Sequence, residues 1–210
     1  MNTLDEYLVK TESAAKKLFE GINDYLSILR DTQMPIFVSS TLDQEESMSE
    51  FVAWEKEHSD EIKKSIDAQD KFIDEIFAMS SLQGAILQIA SMAIQKYSNN
   101  TSVHPEFTGL IKSKGYKKFC IGRTVRDVPI GLVILAGRNQ YNHLDEDSLR
   151  EPNVSIFNKL ADINVNGHKY TDPAFDLSNP QIINYAENIC GLLEWYSYDS
   201  YVADLNGMLK

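Results

Sequence analysis

Residues 127–143 read DVPIGLVILAGRNQYNH, an apolar run that passes directly into a polar hexad. Asp127 has the short side-chain oxygen of a helix N-cap, and Pro129 falls in the first turn, where a missing amide donor costs nothing. Leu132, Val133, Leu135 and Ala136 then give the body of a helix over about 128–144. The hexad Arg138-Asn139-Gln140-Tyr141-Asn142-His143 occupies the second half of that helix.

Upstream, Leu4, Tyr7, Leu8, Ala15, Leu18, Ile22, Tyr25, Leu26 and Leu29 recur at intervals of three and four and predict an amphipathic helix over 3–30. Met34-Pro35-Ile36-Phe37-Val38 interrupts it, because proline lacks a donor and pushes its predecessor out of the helical region. Thr41 or Asp43 can cap a second, long and largely solvated helix with a stripe of Met48, Phe51, Ile62, Ile66, Ile73, Ile76 and Phe77. A third stripe, Leu82 to Tyr97, has few charges and belongs near the middle of a bundle. Downstream, Pro152 opens a short helix with Ile156, Phe157 and Leu160. Ser178 or Asn179 with Pro180 opens a last one, faced by Ile182, Ile183, Ala186, Ile189, Cys190, Leu193 and Tyr196. Between these, 100–126 reads as loop with room for one short helix, and 163–179 as a loop or small hairpin around an Asn-Gly turn. The expectation is an all-α helical bundle, a single domain over 1–210, more than half helical and without a sheet of more than about three strands.

The chain has 210 residues, 43% of them hydrophobic, enough for one good core. Its longest apolar run, Ile130 to Ala136, falls well short of the roughly 18 residues of a membrane span. The first residues, MNTLDEYLVKTE, carry acids where a signal peptide carries bases. Cys120 and Cys190 each sit between apolar neighbours, as buried reduced thiols do. A soluble, cytoplasmic protein is expected, with no membrane partner. A net charge of −11 repels nucleic acid as a whole-body field. From Phe107 to Arg126, however, Lys112, Lys114, Lys117, Lys118, Arg123 and Arg126 occur without one acid. That segment is either a phosphate-facing strip, with Lys117, Lys118 and Arg123 as RNA contacts, or a solvated loop.

The hexad, read as Arg-Asn-x-x-x-His, resembles the signature of the HEPN superfamily: α-helical proteins of bacterial toxins, abortive-infection systems and RNA-guided ribonucleases. The resemblance covers the hexad and a helical bundle, and adds little for residues 1–100. It implies a motif on a core helix, a homodimer in which two motifs meet, and metal-independent cleavage of RNA that leaves a 2′,3′-cyclic or 3′-phosphate. It also implies a defence or toxin role with an antitoxin or regulatory protein as a possible partner, and no cofactor.

The residue chemistry leads the same way. Cleaving RNA without a metal needs a base for the 2′-hydroxyl proton, a cation on the phosphate and an acid for the leaving oxygen. Histidine suits the proton transfers, and arginine grips phosphate in a bidentate fork. His143 is the candidate acid/base, Arg138 the phosphate ligand and Asn139, four residues from His143, the orienting amide. Arg138 and His143 are about 140° apart on an ideal helix, so they converge only if the arginine curls or two subunits contribute. Tyr141 either stacks a base or packs at an interface. The alternative makes His143 a helix-end residue bonded to Glu146 or Asp147, with Arg138 as a salt-bridge partner of the same acids; Asp145, Glu146 and Asp147 also place negative charge beside a phosphate site. His58, His104 and His168 lack the ligand spacing of a zinc site, and no Gly-rich phosphate loop is present. A catalytically silent helical module that binds a partner protein is the contrasting function.

Overall fold

The computed structural model of the chain describes residues 2–30, 33–144 and 149–210. It is all-α: 63% of residues are helical and 5% lie in strands. The helices are α1 (Leu4–Arg30), α2 (Gln44–Glu57), α3 (Ser59–Tyr97), α4 (Lys114–Lys117), α5 (Ile130–Asn142), α6 (Asn153–Ala161), α7 (Ala186–Leu192) and α8 (Tyr198–Leu209). The described residues also hold a 3₁₀ turn (Pro105–Phe107) and two antiparallel hairpins, β1 (Thr124–Val125) with β2 (Val128–Pro129) and β3 (Asp162–Val165) with β4 (His168–Thr171). The second is the expected hairpin, turning at Asn166-Gly167 with φ of 53° and 83°.

The backbone groups into two compact units. One comprises residues 1–20 and 79–210, the other residues 21–78, with the divisions falling inside α1 and α3.

The larger unit is built around α5. Ile130 to Gly137 are all buried, the all-round burial of a core helix. Its first amides need no side-chain cap, because the carbonyls of Arg123 and Ile121 accept from Ile130 N (2.9 Å) and Gly131 N (3.1 Å). Asp127 is therefore not the N-cap. Arg126 and Asp127 instead form the β1–β2 turn with φ of 47° and 62°, the left-handed pair that a two-residue hairpin requires. Arg126 fixes that turn: it donates to Asp172 Oδ2 (2.7 Å) and to the Leu160 carbonyl, and lies 4.7 Å from the centre of the Phe175 ring. α6 and α7 pack against α5, Leu87 of α3 and Ile189 of α7 flank Gly137, and Met79, Ile86, Ala90, Ala93 and Ile94 of α3 and Ile156, Phe157 and Leu160 of α6 are buried in the same unit.

Other helix boundaries also move. The break expected between residues 77 and 82 is absent, because Ala-Met-Ser-Ser-Leu holds no proline or glycine and Met79 and Ser80 are buried in a continuous helix. The break comes at His58, a single residue between α2 and α3. Asp43 is the cap of α2, accepting from the amides of Glu45 and Glu46 at 3.0 Å. The last expected helix does not start at Pro180. Gln140 of α5 holds residues 183–185 out of helix, donating to Ile183 O (2.8 Å) and accepting from Tyr185 N (3.1 Å), and α7 starts only at Ala186. A capping box at Ser197 then opens α8.

Among the described residues α3 is the one helix long and apolar enough, by length and composition, to cross a membrane. Half of that window is buried within the protein, and the core helix of a bundle has the same composition.

In the smaller unit the apolar stripe lies on largely solvated helices, as its charged surroundings predict. Met48, Phe51, Ile66, Ile73, Ile76 and Phe77 are all exposed. Phe37 meets Phe51 and Trp54 at ring distances of 5.3 and 5.6 Å.

Candidate active site

A cavity of about 390 Å³ opens at the C-terminal end of α5, wholly within the larger unit. Leu135, Arg138, Asn139 and His143 line it from one side, Asn153 of α6 and Arg150 before it from another. Gln95 of α3 and Gly115 and Tyr116 of α4 close the rim. Arg138 and His143 thus reach one cavity within a single chain. The 140° separation does not hold because His143 lies past the helix end: it is the C-cap, at φ −125° and ψ 35°, so its side chain leaves the helical register. Convergence therefore requires no second subunit.

A chain of hydrogen bonds fixes the arginine. Arg138 Nε donates to Gln88 Oε1 (2.8 Å) and Nη1 donates to Asn139 Oδ1 (2.8 Å). Asn139 Nδ2 donates to Asn153 Oδ1 (3.0 Å), and Asn153 Nδ2 donates to the Arg150 carbonyl (3.0 Å). Both asparagines are buried. The chain begins at a guanidinium, which only donates, and ends at a carbonyl, which only accepts, so each amide between them has one possible orientation. Arg138 Nη2 has no hydrogen-bond partner among the described residues, and no carboxylate there pairs with the guanidinium. Among the described residues the fork is oriented and meets no carboxylate, an arrangement that can receive a phosphate or carboxylate. Asp145, Glu146 and Asp147, the alternative partners of His143 and Arg138, lie outside the described residues.

The other candidates are placed differently. Tyr141 is not among the residues lining the cavity; its ring covers Gly84 of α3, where an added Cβ would sit 2.4 Å from the ring carbons. That close approach brings α5 onto α3. Lys117 ends α4, whose Gly115 and Tyr116 form the rim, and Lys118 Nζ donates to the carbonyl of Gln95, another rim residue (2.6 Å). The lysine end of the basic segment is thus beside the cavity. Its arginine end is not: Arg123 forms a two-point pair with Asp204 of α8 (2.9 and 3.0 Å) and donates to Leu193 O.

Burial pushes the thiols of Cys120 and Cys190 above the ordinary range, which leaves both poor nucleophiles. Among the described residues no group of three His, Cys, Asp or Glu side chains is placed to hold a metal ion. His58 pairs with Glu61 at 2.9 Å and His168 lies on the β3–β4 hairpin.

The residues that sequence reasoning missed are Gln88, Asn153, Arg150, Gln95 and Tyr116. No protein-family model matches the chain, and no curated protein or solved structure matches it. The fold is all-α, and its cavity is lined by an oriented arginine and by a histidine.

Proposed function

We propose that the chain is a metal-independent endoribonuclease of the HEPN type, cytoplasmic, acting in a defence or toxin–antitoxin role as a two-fold dimer. The observation that carries this reading is the cavity shared by His143 and the oriented Arg138 fork. In the proposed reaction Arg138 binds the scissile phosphate through Nη2 and stabilises the charge that develops on it. His143 takes the proton of the 2′-hydroxyl, the 2′-oxygen attacks phosphorus, and the P–O5′ bond breaks. The 5′-oxygen leaves with a proton from the imidazolium of the partner subunit's His143, and the upstream fragment ends in a 2′,3′-cyclic phosphate. Asn139 holds the arginine in this role.

An oligonucleotide with a single 2′-deoxy sugar at the cleaved position tests the route, because it removes the attacking oxygen and nothing else. Cleavage at that position should stop while other positions remain cut; cutting at the deoxy position would refute in-line attack by the 2′-oxygen.

Asn153→Leu should leave the fold in place at a stability cost of about 1–3 kcal/mol, because the Asn139 amide loses its buried acceptor. With the Asn139 amide freed, Arg138 is held firmly by Gln88 alone, and kcat should fall by about 10²-fold. Asn153→Asp keeps an acceptor for Asn139 and should fall less. Equal rates for Asn153→Leu and wild type in steady-state kinetics would remove the hydrogen-bond chain from the account.

Replacing Lys117 and Lys118 by glutamate, with Arg123 left in its pair with Asp204, should weaken RNA binding and flatten its salt dependence by about one phosphate contact per lysine. An unchanged slope in a salt titration would make the two lysines an ordinary solvated turn. The alternative function, a helical module that binds a partner protein and cleaves nothing, is favoured by the acidic charge of residues 21–78.

A further inference from the structure

Residues 21–78 hold fourteen acids and five bases, a net charge of −9 out of the chain's −11. They also hold eleven of the seventeen large apolar residues found exposed among the described residues, while Ile22 is the single large apolar residue buried there. A unit of this size that leaves so many large apolar side chains exposed has a contact surface larger than its core needs.

The most ordered part of that surface is on α3. Ile62, Ile66, Ile73 and Phe77 are spaced by four, seven and four, so they fall within one narrow arc of the helix. Ile66, Ile73 and Phe77 are 45, 62 and 61% exposed. The stripe runs about 22 Å at 1.5 Å per residue, the length of a four-turn helix. Beside it, Asp67, Asp70 and Asp74 follow at intervals of three and four as an exposed ridge headed by one lysine, Lys63. An apolar seam at helical spacing with a charged ridge along its edge is what one helix presents to another.

We propose that this face of α3 docks an amphipathic helix of a basic partner protein. Charge chooses among the occupants. A second copy would bring another −9 unit against the first, and an anionic membrane or a nucleic acid would be repelled in the same way. A basic helix would satisfy the ridge and cover the stripe together. The inference is independent of whether the cavity cleaves RNA.

The test uses the full chain and two synthetic amphipathic peptides of about 20 residues, one of leucine and lysine in a heptad pattern and one with glutamate replacing every lysine. Titration by calorimetry should give micromolar affinity for the lysine peptide, weakened by salt, and at least about tenfold weaker binding of the glutamate peptide. The double variant Ile66→Asp with Ile73→Asp should lose at least about tenfold in affinity for the lysine peptide. Ile66→Gln with Ile73→Gln, which keeps better helix formers at both exposed positions, guards against a loss due to unfolding and should show the same loss with an unchanged helical spectrum. No binding of the lysine peptide, equal binding of both peptides, or unchanged binding by the glutamine variant would overturn the proposal. So would binding of neutral phosphatidylcholine vesicles, or a dimer of the wild type, that the glutamine variant abolishes.

Discussion

Arg138→Ala and His143→Ala should each slow RNA cleavage by about 10²–10⁴-fold, the range for loss of a general acid/base or of a preorganised charge on the reacting group. Neither change should unfold the protein. His143 is an exposed C-cap, and its backbone bond to Gln140 O survives the substitution. Arg138 is half-buried, and its removal frees acceptors on Gln88 and Asn139 rather than stranding a charge. Arg138→Lys should recover little, because an ammonium cannot hold both Gln88 and Asn139 and still present a fork. Folding is checked by thermal melting and activity by single-turnover cleavage. A His143→Ala protein as fast as wild type would remove the histidine from the chemistry.

The second large effect concerns the helix that carries the site. Gly131→Ala should destabilise the protein by about 3 kcal/mol, against the usual gain of up to about 1 kcal/mol when alanine replaces glycine inside a helix. The reversal of sign has a definite cause: a Cβ at Gly131 would lie 2.3 Å from the carbonyl oxygen of Phe119. That oxygen belongs to the backbone and cannot rotate away, so α5 would have to move from the 119–123 carbonyls that satisfy its first amides. For a chain of this length the loss corresponds to roughly 6–12 °C in Tm. Gly207→Ala in α8 is the control, because nothing lies within 4 Å of its added Cβ. It should be neutral or slightly stabilising. If both variants melt alike, the close packing of α5 on residues 119–121 is wrong.

Much of the helical architecture was legible because apolar spacing is a local signal. The stripe from Leu4 to Ile22 and that from Leu82 to Tyr97 name the helices they belong to. The errors fall where one residue type serves two local structures. Aspartate is favoured both at helix N-caps and in tight turns, and at Asp127 the turn won because Arg126 is anchored to Asp172 and Leu160, residues far away in sequence. Asn179-Pro180 has the look of a helix start, yet Gln140 ties residues 183–185 to α5. The stripe of Ile66 and Ile73 was visible in the sequence, whereas whether anything covers it depends on tertiary structure.

The same distinction holds at the site. Arg138, Asn139 and His143 stand together in one hexad and were readable as chemistry. Gln88 and Asn153, which fix the orientation of Arg138 and Asn139, are 50 and 14 residues away from their partners and contribute no motif or period. Arg123 was the opposite case: its charge is evident in sequence, but Asp204, 81 residues on, engages it.

The central claim, that the Arg138–His143 cavity cuts RNA by 2′-oxygen attack without a metal, is tested most directly by the product ends formed in excess chelator. Purified wild type incubated with labelled single-stranded RNA should release fragments that end in a 2′,3′-cyclic phosphate, at a rate unchanged by chelation. A folded wild type that cleaves no RNA, or one that cleaves only when a divalent cation is restored, would contradict it.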